Sequence, residues 1–544
     1  MRLRLGFVLG LAAAVAGRGA DVKNVAIVGA GAAGSSAAYY LAKYARQEGL
    51  AINTTVFEKT DRIGGRTLTV DAFDDPAQRV ELGASIFVGV NHIMYNATRT
   101  FGLSLADVDG SEDGDVTLIW DGESVLFRSV EGTSWWWDAA RLWWRYGTAP
   151  YRALKLVRRV ISVFLKLYDE PYFPFRSLTR RAYELGLNEV TALTGEQFLA
   201  KNKIDADFAR HLMQPATRVN YASNLAYIHG LEAMVSFATE GAMSVQGGNW
   251  QIFDHMARSS GAAIRRNTSV TAISLEKGMM KPGAPRKYLL STRETGASSA
   301  TSYPVSFDNV IVATPWQFSD MEAEEGVLKQ DIDEIPYMKL HVTLFTSPFA
   351  LRAEYFNLEG GIKPPSNVYT TLGKHEQPRP GPEGVGRTGF YSISTLRRVT
   401  NPKTLEREYL YKIFSVSAVT PQFLADILGA EVPSTFVSPT GTATISWYYP
   451  HWFYSYPIEL PRVTFQDPVI GRGLFYTSGV ESFISTMETS ALMGMNVARL
   501  VADECPGWSR ARTAAADGGR RAMREDFFVR VESEVGGMMM QDEL

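Results

Sequence analysis

Gly29, Gly31 and Gly34 form a Gly-x-Gly-x-x-Gly run directly after the apolar stretch Val25-Ala26-Ile27-Val28, and a second stretch, Thr54-Thr55-Val56-Phe57, ends on Glu58. The order is strand, tight turn, helix, strand, acid, and the chemistry it serves is the binding of a pyrophosphate. Gly29 permits the turn, Gly31 lets the backbone approach the phosphates, and Gly34 lets the helix pack close to the strand. The helix N-terminus presents unpaired N–H groups and the positive end of its dipole. Glu58 is placed to accept hydrogen bonds from a ribose.

The continuation Glu58-Lys59-Thr60-Asp61-Arg62-Ile63-Gly64-Gly65-Arg66 is not needed by an ordinary NAD domain. It resembles the FAD site of the glutathione-reductase and amine-oxidase superfamily. That resemblance implies that Gly65 brings backbone near the phosphates and that Arg66 lies beside the cofactor, with Lys59 in the same cofactor-binding segment.

The elements that must hold these residues recur along the chain. Val80-Glu81-Leu82-Gly83-Ala84-Ser85 returns small residues, Ala84 among them, to where a flavin edge needs close backbone. Ser269-Val270-Thr271-Ala272-Ile273 is a β-rich run suited to touching an adenine through the backbone of Val270. Asn309 to Thr314 reads as a strand returning to the nucleotide domain, and a helix is expected over Trp250 to Arg258. Gly473 to Glu481 is a strand and turn, so Gly479 and Glu481 are expected at the cofactor, and a long helix follows over Met487 to Asp503. Glu481 and Glu488 read equally as a capping acid and a surface acid. Between these parts lies an aromatic cluster, Trp135-Trp136-Trp137 and Arg141 to Gly147, read as core or domain-interface packing, with a ligand wall as the alternative. A basic amphipathic helix follows, with Leu154, Val157, Ile161, Phe164 and Tyr168 on its apolar stripe and Arg152, Lys155, Arg158, Arg159 and Lys166 outside it. Its usual explanation is a solvated face over a core, and a peripheral contact with a membrane surface is the alternative.

The chain has 544 residues, enough for two or three interleaved domains around a buried flavin. A formal net charge of −3 with 21% charged residues gives no basic field for nucleic acid. The seven histidines are scattered without metal-ligand spacing. Met1 to Ala16 reads as a secretory signal, with Arg2 and Arg4 before an apolar run and a small-x-small site at Ala14-Val15-Ala16. A soluble luminal or extracellular protein is expected. Gln541-Asp542-Glu543-Leu544 resembles the endoplasmic-reticulum retrieval signal, with Gln in place of the usual basic residue. The expected destinations are the endoplasmic reticulum lumen, a vacuole or lysosome, or the exterior. Sequons stand at Asn53, Asn96 and Asn267, of which Asn53, just ahead of a strand, is expected to be poorly accessible. With Cys505 the single cysteine, an intramolecular disulfide is impossible.

Taken in order, Gly29 to Gly34, Glu58 to Arg66, Arg141 to Gly147, Ser244 to Asn249, Asn309 to Pro315, Lys339 to Phe345 and Gly479 to Ala491 resemble prenylcysteine oxidase, also called prenylcysteine lyase. The segments Arg141-Leu142-Trp143-Trp144-Arg145-Tyr146-Gly147 and Leu340-His341-Val342-Thr343-Leu344-Phe345 are the more particular ones. The resemblance implies bound FAD and cleavage of the thioether of farnesyl- or geranylgeranylcysteine with O2, giving cysteine, a prenyl aldehyde and hydrogen peroxide, within the secretory pathway. A histidine expected near Val88 is missing, and the nearest candidates are Asn91 and His92. The catalytic side chains are unassigned, as suits a reaction whose hard step the cofactor carries.

The implied fold is α/β: a Rossmann-like FAD-binding domain of the glutathione-reductase/amine-oxidase type, interleaved with an α+β substrate domain. The signal occupies residues 1–16, the FAD domain 21–90, 236–325 and 466–505, the substrate domain 91–235 and 326–465, and a flexible tail 506–544. An amine or amino-acid oxidase shares this fold, although Gly479 to Ala491 lacks the Gly-Ala-x-x-Ser-Gly pattern associated with that family. A non-enzymatic prenyl-binding escort protein is the third reading.

Overall fold

The computed structural model describes residues 22–107, 115–131, 135–276, 286–359, 361–434 and 444–505, without the side chains of 107 and 135–140. The signal at Met1 to Ala16, the terminal Gln541 to Leu544 and the side chains of Trp135 to Trp137 lie outside the described residues.

A six-stranded sheet gathers distant parts of the chain: β1 (Lys23–Val28), β2 (Ile52–Phe57), β3 (Ala263–Arg265), β4 (Asn309–Val312), β5 (Val469–Gly471) and β6 (Leu474–Tyr476). Its order is β5-β6-β4-β1-β2-β3, parallel except for the edge pair β5/β6. Buried on both faces, β1 and β4 read as short continuous apolar runs, as central parallel strands must. The β1–β2 connection is helix α1 (Ala32–Glu48), and helix α2 (Met487–Asp503) packs alongside it. The two helices approach closely through small residues. Ser36 Oγ donates to Ala491 O at 2.6 Å, and a Cβ at Gly494 would stand 2.1 Å from Ala33 O.

A four-stranded sheet, centred on Tyr288–Glu294 and Thr268–Leu275, flanks the nucleotide sheet. The other half of the molecule is a seven-stranded, mostly antiparallel sheet whose strands come from 116–130 and from 337–457. Helices over 149–236 cover the space between the two large sheets. Arg218, wholly buried on one of them, ties this layer to the sheet by donating to Thr370 Oγ1, Asn224 Oδ1 and the carbonyls of Gly384 and Val385 at 2.8–3.1 Å. Such saturation with acceptors is what lets a guanidinium stay charged away from water.

Several sequence expectations change here. In the basic amphipathic helix, which runs Ala149–Phe164, the buried stripe is Ala153, Leu156, Val157, Val160 and Phe164, and Leu154 is exposed. Trp143 and Trp144 are exposed too, so core packing does not hold for that part of the aromatic cluster, while Tyr146 is buried against Phe208 and His211. Asn53 lies within β2 on its exposed side; Asn96 and Asn267 are also exposed. Cys505 is buried. No helix among the described residues is long and apolar enough to cross a membrane.

Because the α1/α2 contact is set by backbone atoms that cannot retreat, Gly494→Val should lower the stability of the whole domain by about 1–3 kcal/mol or more. Denaturant midpoints of the two proteins measure this, and equal midpoints would mean that the helices are free to separate.

Candidate functional site

The turn after β1 is built from backbone because side chains do not fit. Gly29 has φ +101°, and its Cβ would stand 2.7 Å from Ala313 O; one on Gly34 would stand 1.9 Å from Gly29 O. Gly31 differs. It caps α1 with no side-chain cap, and a Cβ there would meet only Gly65 Cα, at 3.7 Å. Open space therefore lies beyond Gly31, at the first-turn amides that a helix leaves without intrahelical partners. Gly65, with φ +59°, closes the cradle from the other side, and a Cβ on it would come to 3.0 Å from Gly31 Cα.

Glu58, directly after β2, is buried and holds the turn through its carboxylate. Its Oε2 accepts from Ala30 N at 2.8 Å, and its Oε1 from Thr60 N and Oγ1 at 2.9 and 2.8 Å. It thereby braces the glycine turn and keeps further lone pairs for a ligand. Lys59 is exposed at the rim of the same cavity. Arg62, which the sequence reading passed over, clamps the loop by donating to Gly65 O at 2.7 Å.

Arg66 joins three segments. Its Nη1 donates to Ser455 O at 2.6 Å, and its Nη2 pairs with Glu481 Oε2 at 2.6 Å, which also accepts from Tyr337 OH at 3.0 Å. Arg66 and Glu481 thus lie together on the cavity wall, with Ala84 and Val270 on other parts of it. Gly479 does not join them: its Cβ direction points at Gln466 O, 2.6 Å away, and it stands behind the wall. Gly34 likewise packs on Gly29 rather than lining the cavity.

One wall residue, Lys412, carries no expectation from sequence. Lys412 Nζ donates to Glu81 O at 3.0 Å and Ser85 Oγ at 2.9 Å, and Asn249 N donates to Glu81 Oε1 at 2.6 Å. Together they fix the segment 81–85. Burial pulls the Lys412 ammonium below its usual range and pushes the Glu81 carboxyl up. The available signal was a lone lysine inside the apolar strand Leu410-Tyr411-Lys412-Ile413-Phe414. Glu488 is no surface acid: it is buried and accepts from Ile93 N, Met94 N and Tyr168 OH at 2.8–3.0 Å, capping the helix His92–Phe101, and burial pushes its carboxyl up to about 7. His92 is half-buried against the Tyr168 ring rather than on the cavity wall.

One cavity of about 990 Å³ runs on from this cradle. Away from the glycines it becomes apolar, between Ile161 and Phe164 on one helix, Leu212 and Val219 on the next, Val235 on a third and Leu396 on the large sheet. Its size and the few convergent polar groups at one end are those of a ligand site. An extended nucleotide cofactor fits the cradle end, where Gly31, Glu58, Gly65 and the Thr268–Val270 backbone meet open space. Among the described residues no group of His, Cys, Asp or Glu could hold a metal ion.

Residues 130–515 match the family model described as prenylcysteine lyase, and residues 27–100 match an NAD(P)-binding Rossmann-like domain. The chain belongs to the prenylcysteine lyase family. This member of the family is 27% identical to the farnesylcysteine lyase of Arabidopsis thaliana over 493 residues, covering 88% of each chain. To prenylcysteine oxidase 1 of Bos taurus it is 26% identical over 500 residues, again with 88% of each covered. Among solved structures, wild-type putrescine oxidase bound to putrescine superposes with a TM-score of 0.52 at 14% identity, covering 88% of this chain and 99% of that one. That likeness establishes the fold alone: a Rossmann-like domain of the amine-oxidase type within mixed α/β sheets.

Two expectations follow from this site. Gly31→Val fills the open space at the head of α1, and Glu58→Ala removes a charged acceptor at a cost of about 1–3 kcal/mol. Both should lower flavin absorbance per folded chain, and full occupancy in both would move the cofactor elsewhere. Behind the cavity, Glu232 is wholly buried, with Oε1 accepting from Ser485 N at 3.1 Å, and burial, then the neighbouring Glu459, pushes its carboxyl up to about 8. A raised carboxyl favours folding most below its unfolded pKa and loses that contribution as pH rises through the folded value. Stability should therefore fall between about pH 5 and pH 8, and less so in Glu232→Gln; equal slopes in the two proteins would exclude Glu232 as the source.

Proposed function

We propose that this chain is an FAD-dependent oxidase of prenylcysteine thioethers. It would take S-farnesyl- or S-geranylgeranylcysteine with water and O2 to cysteine, the prenyl aldehyde and H2O2, a step in the degradation of prenylated proteins. The observation that carries this reading is the continuity of the cavity, from a glycine and acid cradle to an apolar lobe of the kind a prenyl chain fills. Bound in the cradle, FAD would supply the two-electron acceptor for hydride leaving the allylic carbon beside sulfur and would return the electrons to O2. Water then adds to that carbon, and the hemithioacetal collapses to aldehyde and thiol.

The chain's own part is binding and orientation. Ile161, Phe164, Leu212 and Val219 hold the apolar tail and keep water from it. Lys412 holds a proton at Nζ, between Glu81 O and Ser85 Oγ, on the wall of the same cavity. Arg66 and Glu481 fix the wall across the domain junction. Family membership supports the thioether donor over an amine, and Glu58, Gly65 and Arg66 around open space support a flavoprotein over a flavin-free escort. The N-terminal signal and the terminal Gln-Asp-Glu-Leu support a place in the secretory pathway with retrieval to the endoplasmic reticulum.

The decisive measurement is flavin bleaching and peroxide release with S-farnesyl-, S-geranylgeranyl- and S-methylcysteine, against amines and L-amino acids. The prenyl substrates should react, and affinity should rise with chain length, since a buried methylene contributes roughly 0.8 kcal/mol. Turnover of amines with inert prenylcysteines would overturn the thioether reading, and prenyl binding without flavin or peroxide would point to an escort. Deleting residues 541–544 should raise the secreted fraction; unchanged partitioning would discard retrieval.

A further inference from the structure

Between residues 141 and 168 the sequence carries seven Lys and Arg and no Asp or Glu, in a chain whose net charge is −3. Burial of the apolar stripe of helix Ala149–Phe164 is satisfied by Ala153, Leu156, Val157, Val160 and Phe164. Yet the same stretch turns large apolar side chains outward: Trp143 is 61% exposed, Trp144 93%, Tyr151 65% and Leu154 37%. A merely solvated basic face has no use for these four. Indole and phenol rings beside arginine and lysine stems are suited to one boundary, where the rings enter a lipid headgroup layer and the cations meet its phosphates and carboxylates.

From these positions we infer that this face docks on the surface of an anionic lipid bilayer. Charge decides the occupant: a second copy of the chain would bring the same seven cations against themselves, with Glu240 beside Arg158 at 3.7 Å offsetting one of them, whereas an anionic leaflet attracts the face as a whole. Position gives the docking a use. Ile161 and Phe164, toward the end of the same helix, line the cavity, so the face that would rest on lipid belongs to the element that walls the apolar lobe. The inference requires nothing of the reaction proposed above.

The test is co-sedimentation of the full chain with phosphatidylcholine vesicles, with and without phosphatidylserine, at low and high salt. Binding should need phosphatidylserine and weaken with salt. It should fall about fivefold for each cation removed in Lys155→Gln and Arg159→Gln, and Trp144→Ala should also weaken it, all at the wild-type melting temperature. No binding, equal binding to both vesicles, or variants that bind like wild type would overturn the inference. So would a wild-type dimer in sedimentation velocity that Trp144→Ala dissociates while neither protein binds vesicles. The salt dependence of wild type keeps the test decisive even if a variant misfolds.

Discussion

At Gly29 and Gly34 the main chain passes so close to Ala313 and to itself that a side chain is excluded, and much of the molecule is arranged around that approach. It brings the head of α1 to the end of β1 and leaves open space only beyond Gly31. Gly65 bounds that space from a separate loop, which Arg62 holds by its carbonyl. On the far side of α1, Gly494 repeats the device with α2, so a single helix is gripped by backbone contacts at its head and along its flank. These contacts are steric and tolerate little adjustment, in contrast to an apolar cluster that can repack.

The two halves of the molecule meet through polar groups with little room to move. Arg66, on the nucleotide side, reaches Ser455 on the outermost strand of the seven-stranded sheet and the carboxylate of Glu481. Lys412, from a central strand of that sheet, reaches back to Glu81 and Ser85. Each half therefore contributes a cation that completes hydrogen bonds in the other. Shear between the sheets would leave buried donors unpaired, so the cavity between them is held to one shape.

What the sequence made legible was the nucleotide half. Its strands are short apolar runs, its turn is fixed by glycine, and a helix with Thr486 as its cap begins one residue later at Met487. Those signals are local, and each has a single physical cause. The apolar stripe of helix Ala149–Phe164 was placed one position wrong at Leu154, because periodicity gives an angle but not which neighbours arrive on either side. Sequence leaves Glu488 open between surface and cap because the amides it receives lie almost 400 residues earlier in the chain. Gly479 was expected at the cofactor from its strand-turn context, yet Gln466, on a neighbouring loop, takes the space in front of it. Nothing local to Lys412 shows its place either, since its partners are 327 and 331 residues away.

The sheet order has a consequence for synthesis on the ribosome. β1 pairs with β2 almost at once, but its other neighbour, β4, begins at Asn309, and β6 beyond that at Leu474. At about 5–20 residues per second, the inner edge of β1 waits roughly 15–60 s for a partner to be translated, and the sheet cannot close until nearly the whole chain has emerged. During that interval the nascent chain carries an apolar strand edge open to pairing with other chains. Until residue 309 has been made, the order of this sheet leaves one side of β1 without the strand that covers it in the finished molecule, so the apolar run that makes a good central strand is also the segment most open to wrong pairing during synthesis.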